Sequence, residues 1–386
     1  MYGVTLNAEI DEEGVGRMCQ ANVLHYYAGG NTAKGFYDLF PSNLAGLQRI
    51  YILKGGPGTG KSHMMKKIAK VWGEKGYNLE LIHCASDHQS LDGVIIRELK
   101  FGIVDGMEPH VIEPQAPGAL EEYVNLGVAW DSTQLIKHRD DILRLQRDKK
   151  AAFQAAYKSF ASGLAIHDDL EKIYINEMDF QKADELINRL IKQLFLQPKK
   201  SGEGIVRRRF LGATTPKGPN DFLPNITEGL SRRYFLKGRA GTGKSTALKK
   251  IAQTAKEYGF DLEIYHCGFD PESLDMVVVR ELGWAVFDST GPHEYFPEKD
   301  GDNIIDLYKH TVTPGTDEKY APKIKEITKR YKTELKEGIG QLAHASKLHN
   351  QLEKIYIQAI DFHIVDRIYE QINEEIERLA AIVNNI

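Results

Sequence analysis

Cysteine is scarce. Three in 386 residues are too few for a disulfide framework and point to a reducing compartment. No apolar run approaches the roughly 20 residues a membrane helix requires. The start, Met1–Thr5, lacks the basic-then-apolar layout of a secretory leader. The expectation is a cytoplasmic chain without membrane contact. Charge of one sign is not in excess either: the formal net charge is −4, which gives no general pull towards nucleic acid or anionic lipid. The triplet Arg207-Arg208-Arg209 is a local exception, read as a solvated or ligand-facing patch. Proline and glycine nearly vanish from about 132–196 and 320–386, where charged, helically spaced residues predict long helices forming a lid or projecting hairpin. With 42% apolar residues the chain has material for two or three domains.

Two glycine-rich stretches dominate what is there. Gly55-Gly56-Pro57-Gly58-Thr59-Gly60-Lys61-Ser62 follows the apolar run Ile50–Leu53 and opens a helical pattern. This is the G-x-x-x-x-G-K-[ST] spacing of a phosphate-binding loop (P-loop). Backbone N–H groups curl round phosphates, Lys61 reaches the β and γ oxygens, and the Ser62 hydroxyl ligates Mg²⁺. Gly238-Arg239-Ala240-Gly241-Thr242-Gly243-Lys244-Ser245 repeats the motif after Arg233–Leu236. His63 and Thr246, next in line, complete the expected nucleotide contacts. The lysines lie 183 residues apart, and that offset holds from about Gly29 to His110. Half of the positions in 51–110 recur in 234–293, and a shift of 182 relates Leu170–Ile175 to Leu352–Ile357. A period this long means duplicated domains, 1–200 and 203–386, rather than a solenoid.

Each unit reads as a strand ending at the glycine loop, a helix stopping at Gly76 or Gly259, then strands Leu79–Cys84 (Leu262–Cys267) and Phe101–Asp105 (Trp284–Asp288). The fold expected is α/β: two tandem P-loop NTPase domains with mainly parallel sheets, long helical insertions and a pseudo-two-fold axis. A further strand is expected from Asn22–Tyr27 and its repeat Val206–Leu211, each in its own sheet or exchanged between them. The loops that follow would then offer Thr32 and Lys34, or Thr215 and Lys217, to a phosphate or base; a structural turn is the other reading.

The double glycine motif, Gly30-Asn31-Thr32-Ala33-Lys34-Gly35, Asp105 with Pro109-His110, and the His-Cys pairs resemble a bacterial family of tandem P-loop ATPases. The resemblance spans nearly the whole chain and implies ATP binding and ATPase activity. Two features depart from it: His63 stands where threonine is commoner, and Ser289-Thr290-Gly291 replaces the Gly106-Met107-Glu108 turn.

Asp105 and Asp288 end apolar strands, where P-loop proteins hold Mg²⁺ through water. Neither is followed by the glutamate that motors use to activate water. Candidate bases lie past the second strands: Asp87 and Asp92, with Asp270 and Asp275, against a reading in which Ser90-Leu91-Asp92 caps a short helix. His110 and His293, five residues past the metal aspartates, are candidates to sense the γ-phosphate or to brace a loop. His83-Cys84 and His266-Cys267 lack zinc-ligand spacing. His167/Glu171 and His349/Glu353 are i,i+4 pairs, with Tyr174 and Tyr356 on the same faces, read as helix-surface hydrogen bonds or as contacts to a nucleotide or acceptor. Arg97 and Arg280 are expected to pair with Glu98 and Glu281 or to act as arginine fingers. The function expected is Mg²⁺-dependent ATP binding and hydrolysis at two sites. The alternatives are a kinase acting on a small-molecule acceptor and a slow switch acting on a protein partner; nucleic acid is not expected as a partner.

Overall fold

The computed structural model describes residues 21–87 and 89–384. Met1–Thr5, read above for a leader, lies outside them. The first half runs β1 (Val23–Tyr26), the hairpin β2 (Gly29–Thr32) and β3 (Gly35–Asp38), and α1 (Phe40–Leu44). Then come β4 (Arg49–Lys54), α2 (Lys61–Glu74), β5 (Leu79–His83), β6 (Leu91–Ile96), β7 (Phe101–Asp105) and β8 (Glu121–Asn125). Three helices close it: α3 (Ser132–Lys137), α4 (Arg139–Ile175) and α5 (Phe180–Leu194). The second half repeats this as β9 (Val206–Phe210), β10 (Gly212–Thr215), β11 (Gly218–Asp221), α6 (Leu223–Ile226) and β12 (Arg232–Lys237). It continues through α7 (Lys244–Glu257), β13 (Leu262–His266), β14 (Leu274–Val279), β15 (Trp284–Asp288) and β16 (Asp302–Asp306). The short helices α8 (Leu307–Thr311) and α9 (Thr316–Lys319) lead into α10 (Ala321–Ile357) and α11 (Phe362–Asn384).

Each half builds a six-stranded mixed sheet, in the order β1-β5-β6-β7-β4-β8 and its counterpart β9-β13-β14-β15-β12-β16. In the first sheet β6 alone runs against its neighbours β5 and β7; the other strands are parallel. The reversed strands β6 and β14 begin at Leu91 and Leu274, so Ser90-Leu91-Asp92 enters a strand and caps no helix. Together with β6 and β14, the edge strands β8 and β16 bring each sheet to six strands, two more than the sequence suggested. Strands β1 and β9 pair with β5 and β13 of their own halves, which excludes the exchanged arrangement.

Alternation along each strand fixes the layers. Ile50, Ile52, Ile95 and Val104 point into a core shared with Phe235, Tyr265, Met276 and Phe287 of the other sheet. Tyr51, Leu53, Val94 and Ile103 point the other way, onto the buried face of α2. The two sheets thus face each other with helices outside. At the pseudo-axis, Tyr27 and its counterpart Phe210 exchange two backbone hydrogen bonds of 3.1 and 2.9 Å.

The terminal helices cross over. Val365, Tyr369, Ile372 and Ile376 of α11 complete the outer core of the first sheet, while Ile187, Leu190 and Leu194 of α5 complete that of the second. Each such aliphatic side chain contributes about 1.5–3 kcal/mol by its burial. Short bridges, Trp130 to Ile360 and Met178 to Val312, tie the crossing segments down. Helices α4 and α10, 37 residues each, lie antiparallel. Leu145 meets Leu348 and Leu352 near one end, Phe160 meets Leu342 at the centre, and Ile173 meets Ile327 near the other. The long helices therefore pair between halves instead of forming a hairpin within each. Among the described residues no helix is long and apolar enough to cross a membrane.

The cluster Arg207-Arg208-Arg209 is not a solvated patch throughout. Arg209 is 1% exposed and sits between the halves, its Nη2 2.8 Å from Glu80 and its Nη1 3.3 Å from Glu263. Arg97 and Arg280 pair with the same two carboxylates, each at 2.7 Å, and not with Glu98 and Glu281.

Candidate functional site

Both glycine loops turn through left-handed glycines, Gly58 and Gly60 in one half and Gly241 and Gly243 in the other, directly into α2 and α7. A glycine is needed at Gly58 twice over, since φ is +70° and a Cβ would stand 2.8 Å from Ile357 and 3.0 Å from the Glu353 carbonyl. At Gly241 the Cβ would meet the Glu171 carbonyl at 2.6 Å. The helix roofing each loop thus comes from the other half.

Inside the first loop, Lys61 donates to the carbonyls of Gly55 and Gly56 at 2.8 and 3.0 Å and lies 3.5 Å from Asp105 Oδ2. Lys244 donates to the Arg239 carbonyl at 2.8 Å and lies 3.7 Å from Asp288 Oδ2. Thr59 and Thr242 close the loops with hydroxyl bonds to the Gly56 and Arg239 carbonyls. Ser62 and Ser245 each accept a hydrogen bond from the first backbone amide of the reversed strand, Leu91 or Leu274, at 3.0 Å. That tie brings the next residue, Asp92 or Asp275, to the lysine–aspartate pair. Both carboxyls are pushed up to about 6, by burial first, with the neighbouring Asp105 or Asp288 adding to the rise and His110 or His293 opposing it. His63 is exposed on the first turn of α2, and Thr246 lines the second site.

Asp87 and Asp270 are engaged in turns of their own, although Asp270 also lines the cavity at the second site. Each accepts from the backbone of Gln89 or Glu272 and from the hydroxyl of Ser90 or Ser273. Thr32 and Thr215 likewise spend their hydroxyls within their hairpins, bonding the Gly35 and Gly218 carbonyls at 2.7 Å. Lys34 reaches over the axis to Glu272, and the Ala33 amide bonds the Phe269 carbonyl at 2.9 Å. Lys217 is exposed.

The histidines differ between halves. His293 Nδ1 bonds Asp221 Oδ2 at 2.8 Å, and its Nε2 lies 3.9 Å from Asp275. Burial pulls its pKa down, but the bond to Asp221 and the charge of Asp275 outweigh it and hold the ring above the usual value. His110 instead stacks on Phe40 at 5.0 Å, with Nε2 4.0 Å from Asp92 Oδ1. His83 and His266 lead elsewhere: His83 Nε2 meets His25 Nδ1 at 2.8 Å, and His266 Nδ1 meets the Pro271 carbonyl at 2.6 Å. Both cysteine thiols, Cys84 and Cys267, are pushed up by burial.

The roof combines Glu171, Glu353 and Tyr356, which the sequence pattern singled out, with Lys149, Tyr331 and Lys332, which it did not. His349–Glu353 and His167–Glu171 pair as expected, at 3.6 and 3.7 Å. Glu353, however, lies over the first loop, and the His349 bond, opposing burial, holds its carboxyl below the usual range. Tyr356 packs on Gly56, and burial pulls Lys149 of α4 below its ordinary value close to Glu108 and Lys61. Over the second loop, Glu171 of α4 and Tyr331 and Lys332 of α10 wall a cavity of about 1040 Å³ that reaches Lys244, Asp275 and His293. The repetition of the His-Glu pair in both halves was the signal available in the sequence.

No family model, curated protein or solved structure matches this chain.

Proposed function

We propose that the chain binds and hydrolyses Mg·ATP at two sites, one at each glycine loop. The observation that carries this reading is the repeated convergence of Lys61 with Asp105 and of Lys244 with Asp288, at 3.5 and 3.7 Å, beside a left-handed glycine that opens a helix. A helix start of this kind suits an anion, because free N–H groups and the helix dipole face it. The lysine ammonium, now bonded to loop carbonyls, has phosphate oxygens as its alternative partners. The donor set of the first loop fits Mg²⁺: Ser62 Oγ and Asp105 are hard oxygens, matched by Ser245 and Asp288. The ion supplies charge neutralisation to the phosphates. Asp275, buried beside Lys244 and paired with His293, is positioned to accept a proton from the attacking group, with Asp92 at the equivalent place.

A second reading, phosphoryl transfer to a small acceptor, is favoured by the cavity of about 1040 Å³ beside Lys244, which is at the upper end of the size of ligand pockets. Incubation with γ-labelled Mg·ATP and a metabolite pool separates the two. Free phosphate alone supports hydrolysis, a new labelled product supports transfer, and binding with neither overturns both in favour of a switch. Lys61→Ala and Lys244→Ala should each remove one equivalent of bound nucleotide.

A further inference from the structure

His110 has no task in nucleotide hydrolysis as outlined above. Its ring is 4% exposed, and neither nitrogen finds a hydrogen-bond partner among the described residues. Burying polar atoms unpaired is costly, so such a group calls for a ligand. Its Nε2 points at Asp92, which is itself 6% exposed, across 4.0 Å, too far for a hydrogen bond. One ligand atom from each of Asp92, Asp105 and His110 lies within 4.8 Å of the others.

We propose that the first half holds a divalent transition-metal ion between Asp92, Asp105 and His110, bound without nucleotide. An imidazole nitrogen with two carboxylates suits zinc, manganese, iron or cobalt, whereas an all-oxygen set suits Mg²⁺. Bonds of about 2.0–2.2 Å in tetrahedral geometry hold ligand atoms roughly 3.4 Å apart, so the three side chains, now within 4.8 Å of one another, close by up to roughly 1.4 Å on binding. The site shares Asp92 and Asp105 with the nucleotide reading but does not depend on it. The second half is a built-in comparison. There His293 is engaged by Asp221, which also accepts from the Leu223 amide at 3.1 Å; its counterpart Asp38 accepts from the Phe40 amide at 2.8 Å in the same way but makes no hydrogen bond to His110. No second group of three converges as closely among the described residues.

Mn²⁺ is the probe, added to the chelator-stripped full chain without nucleotide. Equilibrium dialysis counts bound ions, and pulsed EPR detects imidazole nitrogen coupled to manganese. The expected result is one equivalent with nitrogen coupling. His110→Ala should abolish the coupling and weaken binding at least about tenfold; His293→Ala should retain both. Asp92→Asn, nearly isosteric, should weaken binding similarly while the coupling persists at saturating metal. The proposal is overturned if no Mn²⁺ binds, if coupling survives His110→Ala, or if Asp92→Asn binds as tightly as the parent. The last comparison stands even where the alanine variant does not fold. A chain that binds Mn²⁺ here but not ATP would overturn the nucleotide reading and leave this one intact.

Discussion

Arg209 offers the sharpest test of how the halves are joined. Its guanidinium lies 2.8 Å from Glu80 and 3.3 Å from Glu263 and stacks 4.1 Å from the Tyr26 ring centre. Burial alone would raise the Glu80 carboxyl, but Arg209 and Arg97 hold it at about 2, against an ordinary 4.5. At 1.36 kcal/mol per unit, that depression amounts to about 3 kcal/mol. Arg209→Met keeps the volume and removes the charge, leaving each carboxylate with one arginine. Loss of one partner from a buried pair costs about 3–5 kcal/mol; because Arg97 and Arg280 remain, we expect about 3. The sign with pH follows from the depressed pKa. Glu80 stabilises the fold above its unfolded value near 4.5, and that contribution is lost as pH falls towards about 2. The variant should therefore unfold in acid at higher pH than the parent. Urea titration at pH 7 measures the first quantity and a circular-dichroism acid titration the second. Arg209→Lys, which restores the charge, should recover part of the loss. A cost below about 1 kcal/mol for Arg209→Met, or no recovery with lysine, would refute the assignment.

Three further outcomes concern the candidate site. Asp105→Asn and Asp288→Asn should sharply reduce turnover and spare more of the nucleotide affinity; unchanged Mg²⁺ dependence in the double variant would return both residues to turn formers. Gly58→Ala, which forces a Cβ against Ile357 and the Glu353 carbonyl, should weaken nucleotide binding at the first loop, and a nucleotide titration with the parent affinity at both sites would count against the trans roof. Glu353→Gln should alter the site containing Lys61 and leave phosphate release at the Lys244 site less affected, as read in the Lys61→Ala and Lys244→Ala backgrounds.

Local signals carried much of the framework. The strands ending at Lys54 and Lys237, the following helices and Phe101–Asp105 were legible because apolar runs met glycine punctuation. Strands β6 and β14 were not. They are buried on both faces, so Leu91–Ile96 and Leu274–Val279 show no alternation, and the aspartates near their starts suggested loops. Strands β8 and β16 were hidden for the opposite reason: Glu121–Asn125 and Asp302–Asp306 are edge strands rich in polar residues. Arg209 sits on a strand of three consecutive arginines, and no local pattern distinguishes the buried one. The aspartates were identified, but which of them converge depends on the Ser62–Leu91 and Ser245–Leu274 ties, which span 29 residues.

The crossing helices are what make the two loops a single problem. Helix α10 carries Glu353 over the first loop and Lys332 at the cavity of the second; at 1.5 Å per residue these positions lie about 30 Å apart along one helix. Helix α4 does the same in reverse, with Lys149 near Lys61 and Glu171 against Gly241. A packed helix moves as a unit, so a displacement that widens one roof is transmitted along its length to the other. Coupling of this kind has energy only where a ligand binds the two arrangements differently. The contacts of α4 and α10 with both loops give such coupling a physical path, and nucleotide affinity at one loop, measured with the other loop's lysine intact and replaced by alanine, reads it directly.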